Sequence, residues 1–129
     1  MATIKSFNEL PVYSKAYNLS MQIFELSCRF PTEERYSLID QIRRSSRSIN
    51  ANISEAWAKK IYEKHFISKL SDVFEEYETE VWLSYALDCK YLDEECFKAL
   101  ITSYSEVRKM LIFMMNNSEI FCRKFPTTK

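Results

Sequence analysis

The stretch of sequence that decides the fold is "DQIRRSSRSINANISEAW", residues 40–57. It places three arginines, four serines and two asparagines between isoleucines, and it contains neither glycine nor proline. Apolar or small residues recur through it at steps of three or four, at Leu38, Ile42, Ser45, Ile49, Ile53 and Ala56. This spacing is typical of one face of an α-helix. The stretch is therefore predicted to be a helix with an unusual polar face, and not a phosphate-binding loop.

The absence of glycine narrows the fold class. The chain has 129 residues, 47% of them hydrophobic, and none of them is glycine. Glycine supplies the positive φ angles of tight hairpins and phosphate-cradling loops, so a β-sandwich, a Rossmann fold and a P-loop protein are all disfavoured. The length and hydrophobic content fit a single domain over residues 1–129, with an ordered core at about 8–117 and flexible ends.

Three further apolar stripes accompany the first one. Together they predict helices near residues 10–29, 33–60, 63–88 and 93–117. Asp93 is predicted to cap the start of the fourth helix. The core face of the third helix is predicted to consist of Phe66, Leu70, Val73, Tyr77 and Val81. Four amphipathic helices with short connections predict an all-α, antiparallel up-down-up-down four-helix bundle.

Two helices carry a face that a bundle core does not require. A step of about 100° per residue from Leu70 turns part of the third helix away from the predicted core stripe. Small and amide side chains also line one side of the second helix, where another helix could approach closely. These two faces predict a homo-oligomer interface made of Gln41, Ser48, Asn52, Thr79, Trp82, Leu83 and Ala86. The alternative is that a wide core or the N-terminal arm covers them.

The charges are segregated although they cancel. Eighteen basic and eighteen acidic residues give a net charge of zero. The second helix nevertheless carries a basic surface, predicted to contact nucleic acid or a partner, formed by Arg43, Arg44, Arg47, Lys59 and Lys60. The third helix carries an acidic run, so an alternative is that Arg43 or Arg44 bridges to its carboxylates. We expect Arg44 to be structural and Arg47 to be available to a partner.

Three segments of the chain resemble a known protein family. They are "LPVYSKAY", "FPTEERYSLIDQIRRSSRSINANISEAW" and "FISKLSDVFEEYETEVWL". They resemble the four-helix-bundle family first noticed as reading frames inside intervening sequences of 23S rRNA genes, whose relatives include accessory proteins of diversity-generating retroelements. Asn50 stands where this family commonly has proline, and Ala56 where it has glycine. Both departures favour a smoother second helix.

The resemblance implies a fold, an assembly and a set of partners. Members of the family are up-down-up-down bundles, and known ones form barrel-shaped homopentamers. The retroelement relatives bind nucleic acid and a reverse transcriptase through a basic surface. We therefore expect self-association, most simply as a pentamer, and we expect RNA, DNA or a protein such as a reverse transcriptase as a partner. The zero net charge argues against inferring nucleic-acid binding by this chain directly from those basic relatives.

Enzymatic chemistry has little support in the sequence. His65 is the only histidine, and Tyr62 stands three residues before it, so the Glu-x-x-His ligands of ferritin-like sites are missing. Glu75 and Glu78 could supply half of the magnesium site of a helical nucleotide pyrophosphatase, but no second half is evident. We predict a non-catalytic oligomeric accessory protein without a cofactor or metal site. A metal-dependent nucleotide hydrolase that uses the third helix's carboxylates is the alternative.

The cellular compartment is predicted from cysteines and hydropathy. The four cysteines show no C-x-x-C spacing, and "MATIKSFNEL" contains no apolar segment of the kind that directs secretion. No apolar run reaches 18 residues. We expect a cytoplasmic protein with reduced thiols and no membrane contact.

Overall fold

A computed structural model of the protein describes residues 4–122, and within that range every regular element is helical. The α-helices are α1 (Pro11–Ser27), α2 (Leu38–Ala58), α3 (Glu63–Ser71), α4 (Glu76–Asp88), α5 (Glu94–Asn116) and α6 (Ser118–Phe121). Short 3₁₀ turns lie at Phe7–Glu9, Thr32–Glu34 and Asp72–Glu75. The all-α prediction is confirmed. The prediction of flexible ends falls partly on residues 1–3 and 123–129, which lie outside the described range.

The helix ends have identifiable causes. α1 begins at Pro11, which suits the first helical position because its missing N–H would have no partner there. α5 begins after Asp93, whose side-chain oxygen accepts the backbone N–H of Cys96 at 2.7 Å, so the predicted cap is confirmed. α2 begins at Leu38 and not near residue 33, because Ser37 has non-helical backbone angles (φ −126°, ψ −98°).

The predicted third helix is interrupted, and this interruption changes which residues it buries. The turn at Asp72–Glu75 is 3₁₀, a geometry with three residues per turn, so the buried stripe advances there by three residues. After Val73 the buried positions are Glu76, Thr79, Leu83 and Ala86. The predicted core positions Tyr77 and Val81 are instead 51% and 49% exposed.

The prediction that Thr79, Leu83 and Ala86 form an outward oligomer face is therefore wrong. Leu83 is 1% exposed, and Thr79 and Ala86 are fully buried within the chain. A constant helical step carried across Asp72–Glu75 misses the tighter winding of that turn, so the predicted core and outward faces are rotated relative to the observed ones. Of the two interpretations of this face, coverage by the chain's own core is correct.

The small-residue line of α2 does receive another helix, but that helix belongs to the same chain. Thr79 Oγ1 donates to Ser45 Oγ at 2.9 Å, and both residues are fully buried. Ser48 Oγ donates to a carboxylate oxygen of Glu75 at 3.0 Å. Asn52 Nδ2 donates to the backbone oxygen of Asp72 at 3.4 Å. The assignment of Ser48 and Asn52 to an oligomer interface is thus corrected: they hold α2 against the α3–α4 segment.

Hydrogen bonds also fix how α1 lies against α2. Asn50 Nδ2 donates to the backbone oxygen of Tyr13, near the start of α1. Arg43 Nε donates to Ser27 Oγ, at the end of α1. The later part of one helix therefore meets the earlier part of the other, so the two run in opposite directions. α5 completes the core by packing against α1 and α4.

None of the helices in the described range is both long enough and apolar enough to cross a lipid bilayer.

Candidate nucleic-acid interface

Two arginines of the candidate interface, Arg43 and Arg47, lie against one aromatic ring. Arg43 and Arg47 lie four residues apart on α2 and therefore on the same face. That face meets Phe24 of α1, with the guanidinium carbon of Arg43 4.6 Å from the ring centroid and that of Arg47 5.8 Å away. A cation over an aromatic face is attracted by the ring quadrupole. Phe24 therefore gathers two positive charges at the α1–α2 contact.

Arg43 is held more firmly than Arg47. Its Nε donates to Ser27 Oγ at 2.8 Å, and its Nη2 lies 3.5 Å from the sulfur of Cys28. Ser27 is fully buried and donates in turn to the backbone oxygen of Phe24 at 2.8 Å. A guanidinium fixed in this way loses little additional freedom when it binds an anion.

Two further arginines, Arg35 and Arg44, line an open surface cleft together with this pair. We call this cleft the arginine groove; its volume is about 470 Å³, and its lining consists of Arg35, Ile39, Asp40, Arg43, Arg44 and Arg47. A second cleft of about 260 Å³ shares Arg35, Ile39 and Arg43 and continues toward Ser27 and Thr32. Sequence reasoning missed Arg35 although the helix predicted at 33–60 contained it; the structure places Arg35 directly after the 3₁₀ turn at Thr32–Glu34. Its spacing of eight residues from Arg43 was the available signal.

The arginines of the groove differ in whether a carboxylate neutralises them. Arg44 forms an ion pair with Glu78 of α4, and it also donates to the Gln41 side-chain oxygen at 2.9 Å from Nη2 and 3.3 Å from Nε. Within residues 4–122, Arg35, Arg43 and Arg47 have no carboxylate within ion-pair distance. Asp40 lines the same groove, but it is exposed and forms no ion pair among these residues. The groove therefore carries an excess of fixed positive charge.

The two lysines of the predicted basic surface lie apart from the groove. Lys59 follows the last residue of α2, and Lys60 places its ammonium 3.4 Å from the ring centroid of Trp57. Twelve helical residues from Arg47 to Lys59 correspond to about 18 Å along the axis. The structure brings Arg43, Arg44 and Arg47 together with Arg35, and it leaves Lys59 and Lys60 outside that group.

The carboxylates of the third predicted helix are mostly engaged inside the chain. Glu75 accepts from Ser48, and Glu78 accepts from Arg44 and from the indole N–H of Trp82 at 3.0 Å. In the part of the chain that the structure describes, no group of three or more His, Cys, Asp and Glu side chains is placed to hold a metal ion.

Glu76 is the one carboxylate of this run that enters the core. It is 1% exposed, and it shares Arg108 Nη1 with Glu80, at 2.6 Å from Glu76 and 2.7 Å from Glu80. Burial and the neighbouring Glu80 raise the pKa of Glu76 to about 8, although Arg108 acts in the opposite direction. Sequence reasoning missed Arg108, which lies between the core positions Val107 and Leu111 of α5.

Two buried oxygen atoms near this network have no hydrogen-bond partner within the described residues: Oε2 of Glu76 and the hydroxyl of Tyr104. Burial, followed by the charge of Glu76, raises the pKa of Tyr104 above its ordinary value. The phenol is thus neutral and available as a donor. Protonation of Glu76 is the state that suits a carboxyl group with one unpaired buried oxygen.

An exposed apolar stripe, called the α4 stripe, begins at Phe74 in the 3₁₀ turn and continues along α4. Phe74, Tyr77, Val81 and Tyr85 recur at steps of three and four, and each is between 41% and 57% exposed. Trp82 lies half-buried beside it, with its ring centroid 5.9 Å from that of Tyr85. Scattered apolar residues are normal on a protein surface, whereas a continuous stripe is typical of a contact surface.

Comparisons with known proteins converge on one family. The family model described as "23S rRNA-intervening sequence protein" matches residues 8–113. A solved structure from Bacteroides thetaiotaomicron, described as a protein with unknown function from the S23 ribosomal protein family, is 30% identical in sequence. Its TM-score is 0.73, and the match covers 82% of this chain and 96% of that chain. No curated protein matches this chain significantly.

The buried carboxyl group leads to a prediction about pH. The pKa of Glu76 in the folded chain, about 8, exceeds the ordinary value of 4.5 that applies to the unfolded chain. The folded state therefore binds this proton more tightly, so its stabilising contribution is complete below about pH 4.5 and is lost as the pH rises toward 8. Glu76→Gln stays neutral throughout, and its melting temperature should fall less than that of the unmodified protein between about pH 5 and 8.

Thermal unfolding followed by circular dichroism measures this difference. Glu75→Gln is the matched control, because Glu75 is an exposed carboxylate of the same segment. Its pH profile should parallel that of the unmodified protein. Parallel profiles for Glu76→Gln and the unmodified protein would contradict the assignment of the proton to Glu76.

Proposed function

Since the chain belongs to the 23S rRNA-intervening sequence protein family, we propose that it is a non-catalytic accessory protein that binds the phosphate backbone of RNA through the arginine groove. The cytoplasm is the proposed location, because all four cysteines are free thiols, as in a reducing compartment. The neighbour from Bacteroides thetaiotaomicron is itself described as a protein with unknown function. The proposal therefore depends on the residues of this chain.

One observation carries the proposal: the contrast between paired and unpaired arginines. Arg44 and Arg108 each meet carboxylates inside the chain. Arg35, Arg43 and Arg47 gather in one groove without such partners in the described range, although the chain as a whole is neutral. Guanidinium groups donate in a planar fork that matches two oxygens of a phosphate. A groove of unneutralised guanidinium groups, one of them held by Ser27, supports binding to a phosphate backbone.

The proposed architecture behind this activity is an antiparallel up-down-up-down four-helix bundle. In it, α3, the turn at Asp72–Glu75 and α4 act as one interrupted helix, and α6 is a short appendix to α5. Two contacts indicate that α5 runs in the opposite direction to α3 and α4. Ser118 donates to Glu63 at 2.6 Å, and Arg108 donates to Glu80. The start of α3 thus lies near the end of α5, and α4 lies near its middle.

We also propose that the chain self-associates through the exposed stripe of α4. The proposed subunit contact no longer includes Leu83 and Ala86, which are buried within the chain. It consists of Phe74, Tyr77, Val81 and Tyr85, with Trp82 at its edge. A ring of identical copies would repeat the arginine groove around its surface, so a modest charge per chain would become a large one. The number of copies, five, is an expectation from the resemblance alone.

The alternative, a metal-dependent nucleotide hydrolase, has less support. Such an enzyme requires several carboxylates directed at one ion. Glu75 and Glu78 are directed at α2, where Ser48 and Arg44 occupy them. Glu76 and Glu80 share a guanidinium group, which would oppose a divalent cation at the same place. We therefore favour RNA binding over hydrolysis.

The groove proposal predicts a specific dependence on salt. Removing one phosphate-binding side chain should reduce the magnitude of the slope of log affinity against log salt concentration by about 0.7 for single-stranded RNA. Arg43→Gln combined with Arg47→Gln should therefore reduce the slope by about 1.4 and weaken binding to an unstructured oligonucleotide. Fluorescence anisotropy at several salt concentrations measures this effect.

A matched control removes the same amount of charge from the other end of α2. Lys59→Gln combined with Lys60→Gln should leave most of the slope unchanged, since these lysines lie outside the groove. Circular dichroism must show that both double variants remain folded. Equal slopes for the two variants would indicate a general effect of charge and would contradict the groove proposal. Absence of RNA binding by the unmodified protein at low salt would contradict it as well.

The self-association proposal predicts a change in mass. Val81→Glu combined with Tyr85→Glu places charges in the α4 stripe, and burying them unpaired in a subunit contact is strongly unfavourable. Light scattering should show a smaller assembly than that of the unmodified protein. Tyr36→Glu is the control, because Tyr36 is 86% exposed outside the stripe. An assembly whose mass is unchanged by the double substitution would show that the stripe is not the contact.

A further inference from the structure

An apolar groove lies at the opposite end of α1 from the arginine groove. It runs between the start of α1 and the end of α5 and has a volume of about 330 Å³. Leu10, Val12 and Met114, all at most 4% exposed, form its floor, and Phe113 and Met110 form part of its wall. Small-molecule sites in proteins are typically concave, mostly apolar and at least about 300 Å³ in volume.

One cation interrupts this apolar lining. Lys109 is the single charged residue among the described residues that line the groove, and it is exposed. No carboxylate of residues 4–122 lies within ion-pair distance of it; Glu106, one turn earlier on α5, pairs with Lys15 at 3.2 Å. The groove therefore combines an apolar surface with one uncompensated positive charge at its edge.

We propose that this groove binds an amphipathic anion, namely an unbranched alkyl carboxylate. The alkyl chain lies on Leu10, Val12 and Met114, where burial of apolar surface provides most of the binding. The carboxylate meets Lys109. This site is separate from the arginine groove, and its ligand is independent of RNA.

The apolar lining and the single positive charge select this ligand over other occupants. A purely apolar molecule would gain nothing from Lys109, and a polyanion would find only one cation and an apolar surface. An amphipathic cation would place like charges together. The alkyl carboxylate satisfies both features of the groove at once.

Two probes with the same alkyl chain and opposite headgroups test the proposal. Isothermal titration calorimetry with decanoate and with decyltrimethylammonium, each below its micelle concentration, should show saturable binding of decanoate and weaker binding of the cation. Lys109→Gln should lower the affinity for decanoate by roughly twofold to fivefold, the range expected for one exposed ion pair. Lys109→Glu should reverse the preference. Phe113→Ser should lower the affinity for both probes, because it removes part of the apolar wall that both alkyl chains would contact.

Lys98→Gln is the matched control, since Lys98 is an exposed lysine of the same helix that pairs with Glu94. It should leave both affinities unchanged. Equal affinity for the two probes, no saturable binding, or an unchanged preference in Lys109→Glu would overturn the proposal. A change of molecular mass in Phe113→Ser would show that the groove contacts a second copy of the chain, which would also overturn it.

Discussion

The rest of the structure depends on the close contact between α2 and α4. A hydrogen bond from Thr79 to Ser45 joins the two helices there. Both side chains are fully buried, so neither hydroxyl can turn to water: Thr79 donates to Ser45, and Ser45 donates to the backbone oxygen of Ile42 at 3.4 Å. Small side chains at this place let the two helices approach, and a larger residue at position 45 would separate them. The contact occupies the line of small and amide side chains on α2. Arg44 pairs with Glu78 of α4 beside it, whereas Arg43 and Arg47 lie on the side of α2 that meets α1.

The arrangement of charge follows from that contact. α4 presents Glu78 to Arg44, and α5 presents Arg108 to Glu80 and to the buried carboxyl group of Glu76, so both arginines are paired inside the chain. Arg43 and Arg47 lie on the side of α2 that meets Phe24 of α1, where no carboxylate of the described residues approaches them. A net charge of zero thus combines internal ion pairs with a local positive surface. Net charge alone is a poor guide to whether such a chain can hold a phosphate backbone.

Much of the fold could be predicted from particular residues. The isoleucines of α2 recur at helical steps, Asp93 caps α5, and the absence of glycine excludes most β architectures. The 3₁₀ turn at Asp72–Glu75 could not be predicted, because its sequence "DVFE" contains neither proline nor glycine and continues the acidic, amphipathic pattern. This tightening placed Leu83 in the core and Val81 on the surface, the reverse of what regular helical periodicity indicates.

The candidate site was only partly visible for a similar reason. Arg43 and Arg47 follow directly from their spacing on one helix, whereas Arg35 belongs to a separate turn, and only the tertiary fold brings it to them. Which arginine is neutralised also depends on the partner helix, which the sequence of α2 does not contain. Periodicity predicts faces, and the assignment of a face to a neighbour comes from packing.

Cross-linking of a photoreactive, unstructured RNA to the full chain, followed by peptide mapping, tests the central claim most directly. The account predicts cross-links concentrated on the segments that border the arginine groove, residues 24–35 and 39–47. Cross-links concentrated around Lys59 and Lys60, or along the α4 stripe, would contradict it, because RNA would then contact the chain where the unpaired arginines are absent.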